Sequence, residues 1–314
     1  MTPVSNEYDV TRNVRTTDPV AVNREVERIF LGLYSESSTQ RLGQAFADVT
    51  HLFRGEYPGY RACDTAYHNI QHTLDVTLAM ARLIDGYERA RTKGMESFSA
   101  VMTPSWNKPA LCHDIGYLRE ERDTQAQNGA EYTLTHVSRG AQFLRGYLPK
   151  LGLGRLGDVA ASLIHFTGYE IPVSKIQVPD TKFRALGNLL GSADIIAQMS
   201  DRCYLEKCRD RLYPEFLAAG IARRRDPDGR ERVVYASGDD LVLKTPGFYR
   251  GANKRLEDDL AGSHKLAEHH FGGQNLYLDE LAKNIRFAQE VSDAGNTSAL
   301  RRVPPGILSE EDQE

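Results

Sequence analysis

The chain has 314 residues, 40% hydrophobic and 26% charged, which suits one large globular domain or two modest ones with a buried core. Its net charge of −4 gives no global electrostatic reason for a nucleic-acid partner, and no run of about 18 apolar residues predicts a membrane span. The polar N-terminus lacks the apolar stretch of a secretory signal, and the four cysteines (Cys63, Cys112, Cys203, Cys208) form no CxxC pair, so free thiols in a reducing cytoplasm are expected.

Residues 1–18 are polar and read as a flexible tail. After Asp18-Pro19, Val22, Val26, Ile29, Phe30 and Leu33 recur at helical spacing and predict a helix over 20–34. Leu42, Phe46, Val49 and Phe53 mark a second helix. A third runs from His68 to about Ala90, and Gly94 to Lys108 is a break. Helices are then predicted over 109–118, 125–148, 155–166, 181–200, 202–219, 249–270 and 277–291. The segment 230–244 differs: Val233-Val234-Tyr235 and Leu241-Val242-Leu243 flank Ser237-Gly238-Asp239-Asp240, a β-hairpin pattern that follows the turn Asp226-Pro227-Asp228-Gly229. Residues 292–314 read as a disordered tail. The expectation is a single all-α domain over 19–291 with a small β-hairpin insertion near 230–244.

Seven residues carry the chemistry. His68 and His72 are four apart and share a helical face. His113 and Asp114 are adjacent. His136 is placed mid-helix in 125–148, His165 at the end of the next helix, and Asp194 inside the apolar run of 181–200. The gaps from His72 onward are 41, 22, 29 and 29 residues, the second counted from Asp114. Helices packed antiparallel can bring such groups to one depth of a bundle. An imidazole beside a carboxylate allows one metal ion to be bound and bridged to a second at about 3.5–4 Å. Imidazole and carboxylate donors suit Mn, Fe, Co, Ni or Zn rather than Ca. Asp194 among Leu189, Leu190, Ile195 and Ile196 would be a buried carboxylate, which needs a partner.

The stretch Tyr67-His68-Asn69-x-x-His72-Thr73-x-Asp75-Val76, followed by Cys112-His113-Asp114-Ile115-Gly116-Tyr117, resembles the HD superfamily of metal-dependent phosphohydrolases. The first segment is similar to the YHNxxHAxDV motif of cyclic-nucleotide phosphodiesterases. The likeness spans about 65–200 and includes His136, His165 and Asp194 by order. It implies an HD-type helical bundle with two divalent ions (Mn, Fe, Co, Ni, Zn or Mg). His72, His113, Asp114 and Asp194 would hold one ion; Asp114, His136 and His165 would hold the other. The resemblance implies a bridging hydroxide as nucleophile and His68 as general acid on a phosphate ester, with a nucleotide among the candidates.

The chain departs from that pattern in reading IGYLREERD after His113-Asp114, and in carrying Gly168-Tyr169-Glu170 after His165 without a GYP element. No glutamine stands out as a purine-binding residue. Lys175, Lys182 and Arg184 are candidate phosphate contacts. Arg223-Arg224-Arg225 reads as a solvated charge run; His264, His269 and His270 as surface or packing residues; Tyr204, Leu205, Leu212, Tyr213 and Phe216 as core. Two other functions stay open: a mixed-valence di-iron oxygenase, which some HD-domain proteins are, and a non-catalytic binding module on the same fold.

Overall fold

The computed structural model describes residues 6–34, 39–92, 95–98, 108–225 and 228–306. It is helical almost throughout, with one small antiparallel strand pair. The helices are α1 (Pro19–Leu33), α2 (Gln40–Arg54), α3 (Ile70–Ala90), α4 (Lys108–Cys112), α5 (His136–Lys150), α6 (Gly157–Ile164), α7 (Thr181–Ser200), α8 (Tyr204–Lys207), α9 (Tyr213–Ala218), α10 (Gly238–Lys254), α11 (Ala267–His270) and α12 (Leu276–Ala294).

α3 is the central element. Asn69 caps it by accepting from the His72 amide, and every residue from Ile70 to Tyr87 except Asp75 is buried. Its most extensive neighbour is α7, capped by Asp180, and α1, α4 and α11 cover its other sides. α3 is thus enclosed on nearly every side, and its buried polar groups, such as Arg82 and Asp85, need partners inside the fold. α5 packs on α6, α12 lies against α7 and α10, and one continuous core joins them.

Several boundaries differ from the sequence reading. His68 precedes the cap of α3 and is not helical, so it does not share a helical face with His72. The stretch 109–118 is a one-turn helix, a tight turn at His113-Asp114 and a 3₁₀ turn at Ile115–Tyr117. The stretch 125–148 is broken as well. A 3₁₀ turn at Gly129–Tyr132 has a complete capping box between Asn128 and Glu131, and α5 begins at His136. A π-helical turn at Cys208–Leu212 joins α8 to α9. The predicted helix 249–270 is the end of α10, a π-helical turn, a 3₁₀ turn and α11.

The hairpin is present but lies earlier. β1 (Arg223–Arg225) pairs with β2 (Glu231–Val233) in antiparallel register, with Arg224 opposite Arg232. Leu241-Val242-Leu243 is helical, inside α10. Ser237 accepts from the Asp240 amide, and Asp239 and Asp240 occupy the first turn, where carboxylates favour a helix start. Asp226 and Pro227 of the expected turn, most of the break before Lys108, and the tail beyond Gly306 lie outside the described residues.

The N-terminal segment is integral to the fold from residue 6 onward. The Asp9 carboxylate is buried and accepts from the Arg82 guanidinium at 2.5 Å, and Arg82 also donates to the Tyr277 hydroxyl at 3.0 Å. This ties the segment to α3 and α12. The C-terminal segment is held too: Leu300 is buried, and the Asn6 amide donates to the Val303 carbonyl. The four cysteines are free thiols. Among the described residues no helix is long and apolar enough to cross a membrane.

Candidate metal centre

The first turn of α3 presents His72, the turn after α4 presents His113 and Asp114, and the middle of α7 presents Asp194. One ligand atom each from His72, His113 and Asp194 lies within 4.8 Å of the others. Nε2 of His72 is 3.3 Å from Oδ2 of Asp114 and 3.3 Å from Oδ1 of Asp194. Nε2 of His113 is 3.2 Å from Asp114 Oδ2 and 3.4 Å from His72 Nε2. With bonds of about 2.1 Å to a shared cation, neighbouring ligand atoms stand about 3.0–3.4 Å apart; four of these pairs have that spacing, while His113 Nε2 and Asp194 Oδ1 stand wider, at 3.9 Å, and Asp114 lies outside the trio whose ligand atoms are all mutually close.

Two further observations agree with a shared cation. The Asp114 Oδ2 atom is buried without a hydrogen bond, a costly state for a carboxylate unless a cation compensates it. The Nδ1–H of His113 donates to the Ala110 carbonyl at 2.7 Å, which fixes the tautomer and leaves Nε2 as the donor facing the cluster. Without a cation, the carboxylates would hold protons on the neighbouring imidazoles. Burial opposes charge on His113, but the neighbouring Asp114 prevails and raises its pKa to about 9. Burial opposes charge on Asp114 as well, yet His113, His68 and His72 hold its carboxyl far below the usual carboxylate range. A bound cation would displace those protons.

His136 stands at the other carboxylate oxygen, with Nε2 3.8 Å from Asp114 Oδ1. Its Nδ1–H donates to Thr133 O at 2.7 Å, the same orientation device as in His113. Gly116 makes the approach possible. A Cβ there would come within 1.7 Å of the His136 carbonyl oxygen, so only glycine lets the His113-Asp114 turn press against the start of α5. Burial lowers the His136 pKa and favours the neutral, metal-binding imidazole.

His165 is not brought into the cluster. It caps the end of α6 and makes no hydrogen bond, ion pair or ring contact with the other five residues, and its buried Nδ1 has no partner. Apart from burial, the influences on its pKa are Glu170 and Arg145 rather than Asp114 or Asp194. Its place in the sequence matched the expected order, but His165 is the residue on which α6 ends, and it does not line the cavity onto which the cluster opens.

His68 sits beside the cluster as a non-ligand. Its Nδ1 is 2.5 Å from Oε2 of Glu215, whose other oxygen accepts from the Tyr67 amide at 2.6 Å. The Tyr117 ring stacks against both His68, at 4.3 Å, and His136, at 4.4 Å, and its hydroxyl is 3.4 Å from His68 Nε2. Burial opposes a charge on His68, but Glu215 outweighs it and the pKa is raised.

A cavity of about 340 Å³ opens onto His68, His72, Asp114, His136 and Asp194, within the size range of small-molecule sites. Lys175, Lys182 and Arg184 do not line it. Lys182 pairs with Glu96 and Asp180, and Arg184 donates to the Val173 and Ile176 carbonyls. Tyr204 and Leu212, read as core from sequence, are buried in the core, Phe216 packs partly buried against it, and all three also line the cavity. Arg223 and Arg224 are exposed, as expected of a charge run. His264 is buried, and His270 pairs with Asp85 at 2.6 Å.

The residues that sequence reasoning missed are Glu215, Tyr117 and Gln198. Glu215 lies 147 residues from His68, and no local pattern links the two. Tyr117 sits inside the His-Asp motif segment, and its aromatic type was the available signal. Gln198 is one helical turn beyond Asp194, to which its amide donates.

A protein-family model described as Npun_R2479-like matches residues 58–255, a span that contains every residue of the cluster and the cavity wall through α10. No curated protein and no solved structure matches the chain.

Proposed function

The chain belongs to the Npun_R2479-like family, and we propose that it is a metal-dependent hydrolase of phosphoric esters on an HD-type helical scaffold. The observation that carries this reading is the placement of Asp114, with one carboxylate oxygen facing His72 and His113 and the other facing His136. His72, His113, Asp114 and Asp194 would hold a first divalent ion, and Asp114 with His136 would offer donors to a second. When bound, the ions supply positive charge that polarises a phosphoryl oxygen and acidifies water.

The chain's own residues supply the rest. His68 is the proton donor to the leaving oxygen. Its Nδ1–H is held by Glu215, so Nε2 is free to present a proton to the cavity. Glu215 keeps that proton on the ring, and the stacked Tyr117 ring fixes its plane. Burial of His113 and Asp114 excludes water from the ligand side and strengthens each charge interaction. The resemblance of Tyr67–Val76 and Cys112–Tyr117 to HD phosphohydrolases supports phosphate as the reacting group.

Chain purified without chelators and loaded with Mn²⁺ should cleave bis(4-nitrophenyl) phosphate, and His68→Ala should retain metal while losing most of the rate. Metal-loaded chain inert toward a broad panel of phosphate mono- and diesters would refute the reading.

A further inference from the structure

The cavity walls point to what the ester carries besides phosphate. We infer that the substrate's organic group is uncharged and largely apolar, an alkyl or aryl phosphoester rather than a nucleoside polyphosphate. The inference rests on the phosphohydrolase reading and adds the substrate class.

The metal donors come from α3, the turn after α4, α5 and α7. The other side of the lining comes from elements that carry no donor. Leu212, Phe216, Ile221, Tyr235, Leu241 and Phe248 are contributed by the π-helical turn, α9, the segments flanking the hairpin, and α10. Phe216 and Tyr235 stack at 6.0 Å and form a continuous aromatic face. At the mouth, Tyr169 is 72% exposed, Leu134 65% and Phe248 44%. Large apolar side chains left in water around a pocket are a feature of apolar-ligand sites.

The charges agree. Lys244 is the one cation lining the cavity among the described residues, and its ammonium already donates to Val234 O and to the Asp240 carboxylate, both at 2.8 Å. Arg255 is buried and does not line the cavity; one of its nitrogens donates to the Phe166 and Gly168 carbonyls, and its guanidinium lies 4.0 Å from the Tyr169 ring centre. Glu170 adds a carboxylate to the lining. Among the described residues lining the cavity, a polyphosphate would therefore find no unpaired guanidinium or ammonium, and desolvated phosphates need such partners. The Gln198 amide, the group best suited to read a nucleobase edge, is engaged at both ends: its nitrogen donates to Asp194, and its oxygen accepts from the Tyr67 hydroxyl at 3.2 Å.

The test is calorimetric binding of methyl-, butyl- and octylphosphonate, phenylphosphonate, AMP and ATP to the Mn²⁺-loaded full chain, with hydrolysis of the matching esters measured in parallel. Affinity should rise with chain length, by up to about fourfold per methylene buried, with phenylphosphonate distinguishing aryl from alkyl preference. AMP and ATP should bind no tighter than methylphosphonate. Phe248→Glu, at an exposed position of the mouth that should not impair folding, should flatten the chain-length dependence, costing octylphosphonate more affinity than methylphosphonate. A flat series in the wild type, or ATP or AMP binding tighter than octylphosphonate, overturns the inference. A steep series with no ester hydrolysed leaves the apolar pocket standing and refutes the hydrolase reading instead.

Discussion

Nδ1 of His68 lies 2.5 Å from a carboxylate oxygen of Glu215, a residue 147 positions further along the chain. The pair joins the loop before α3 to α9 and holds the imidazole edge that faces the cavity. If Glu215 positions and charges His68, Glu215→Gln should keep the fold and the metal while lowering kcat by about 10–100-fold. His68→Ala should cost about 10²–10⁴-fold. The double variant should be no worse than His68→Ala alone, because both act through one proton. Additive losses would separate the two roles.

Asp114 reaches His136 only because Gly116 has no side chain. Gly116→Ala would set a Cβ 1.7 Å from the His136 carbonyl, so the start of α5 must shift. The expected outcome is a loss of about 1–3 kcal/mol in denaturant unfolding, with hydrolysis reduced more than the stability loss accounts for. Full activity in a stably folded Gly116→Ala would show that the Asp114–His136 approach is dispensable.

The N-terminal segment should contribute measurably to stability. Arg82 is 1% exposed and its guanidinium faces Asp9. Asp9→Ala leaves that cation buried without its carboxylate, and removing one partner of such a pair costs about 3–5 kcal/mol. Chemical denaturation of the purified variant checks this, and a loss below about 1 kcal/mol would mean that the segment is loosely held.

Asp75 gives a pH dependence of the opposite sense to a paired carboxylate. Burial raises its pKa to about 7, with Asp201 and Asp9 adding to the rise and Lys207 and Thr16 opposing it. A carboxyl harder to ionise in the folded state than in the unfolded one costs stability once the pH exceeds its unfolded value, near 4. That cost grows as pH rises toward 7 and is then complete. Asp75→Asn should therefore raise Tm at pH 8, and the gain should fade as pH falls toward 4. A gain that is independent of pH would assign the effect to something other than ionisation.

The parts of the molecule readable from sequence were those set by local rules. The apolar spacing of α1, α2, α7 and α12 and the helix start at Asp18-Pro19 are local, and those helices lie within a few residues of their expected bounds. His72, His113, Asp114 and Asp194 were legible because two short segments and one carboxylate in an apolar run have few other uses. Leu241-Val242-Leu243 misled because three apolar residues in a row fit a strand or a buried helix equally, and the deciding feature was the Ser237 cap before them. Glu215 was invisible because its partner lies across the fold. His165 was placed by interval alone, and an interval does not report where a short helix ends.

The most direct test of the central claim is elemental analysis of chain purified without chelators or added metal, paired with the same measurement on Asp114→Asn and His165→Ala. The account predicts at least one divalent ion per wild-type chain, loss of it in Asp114→Asn, and retention in His165→Ala. Wild-type chain that carries no ion and takes up none on incubation with Mn²⁺, Fe²⁺, Co²⁺, Ni²⁺, Zn²⁺ or Mg²⁺ would contradict it.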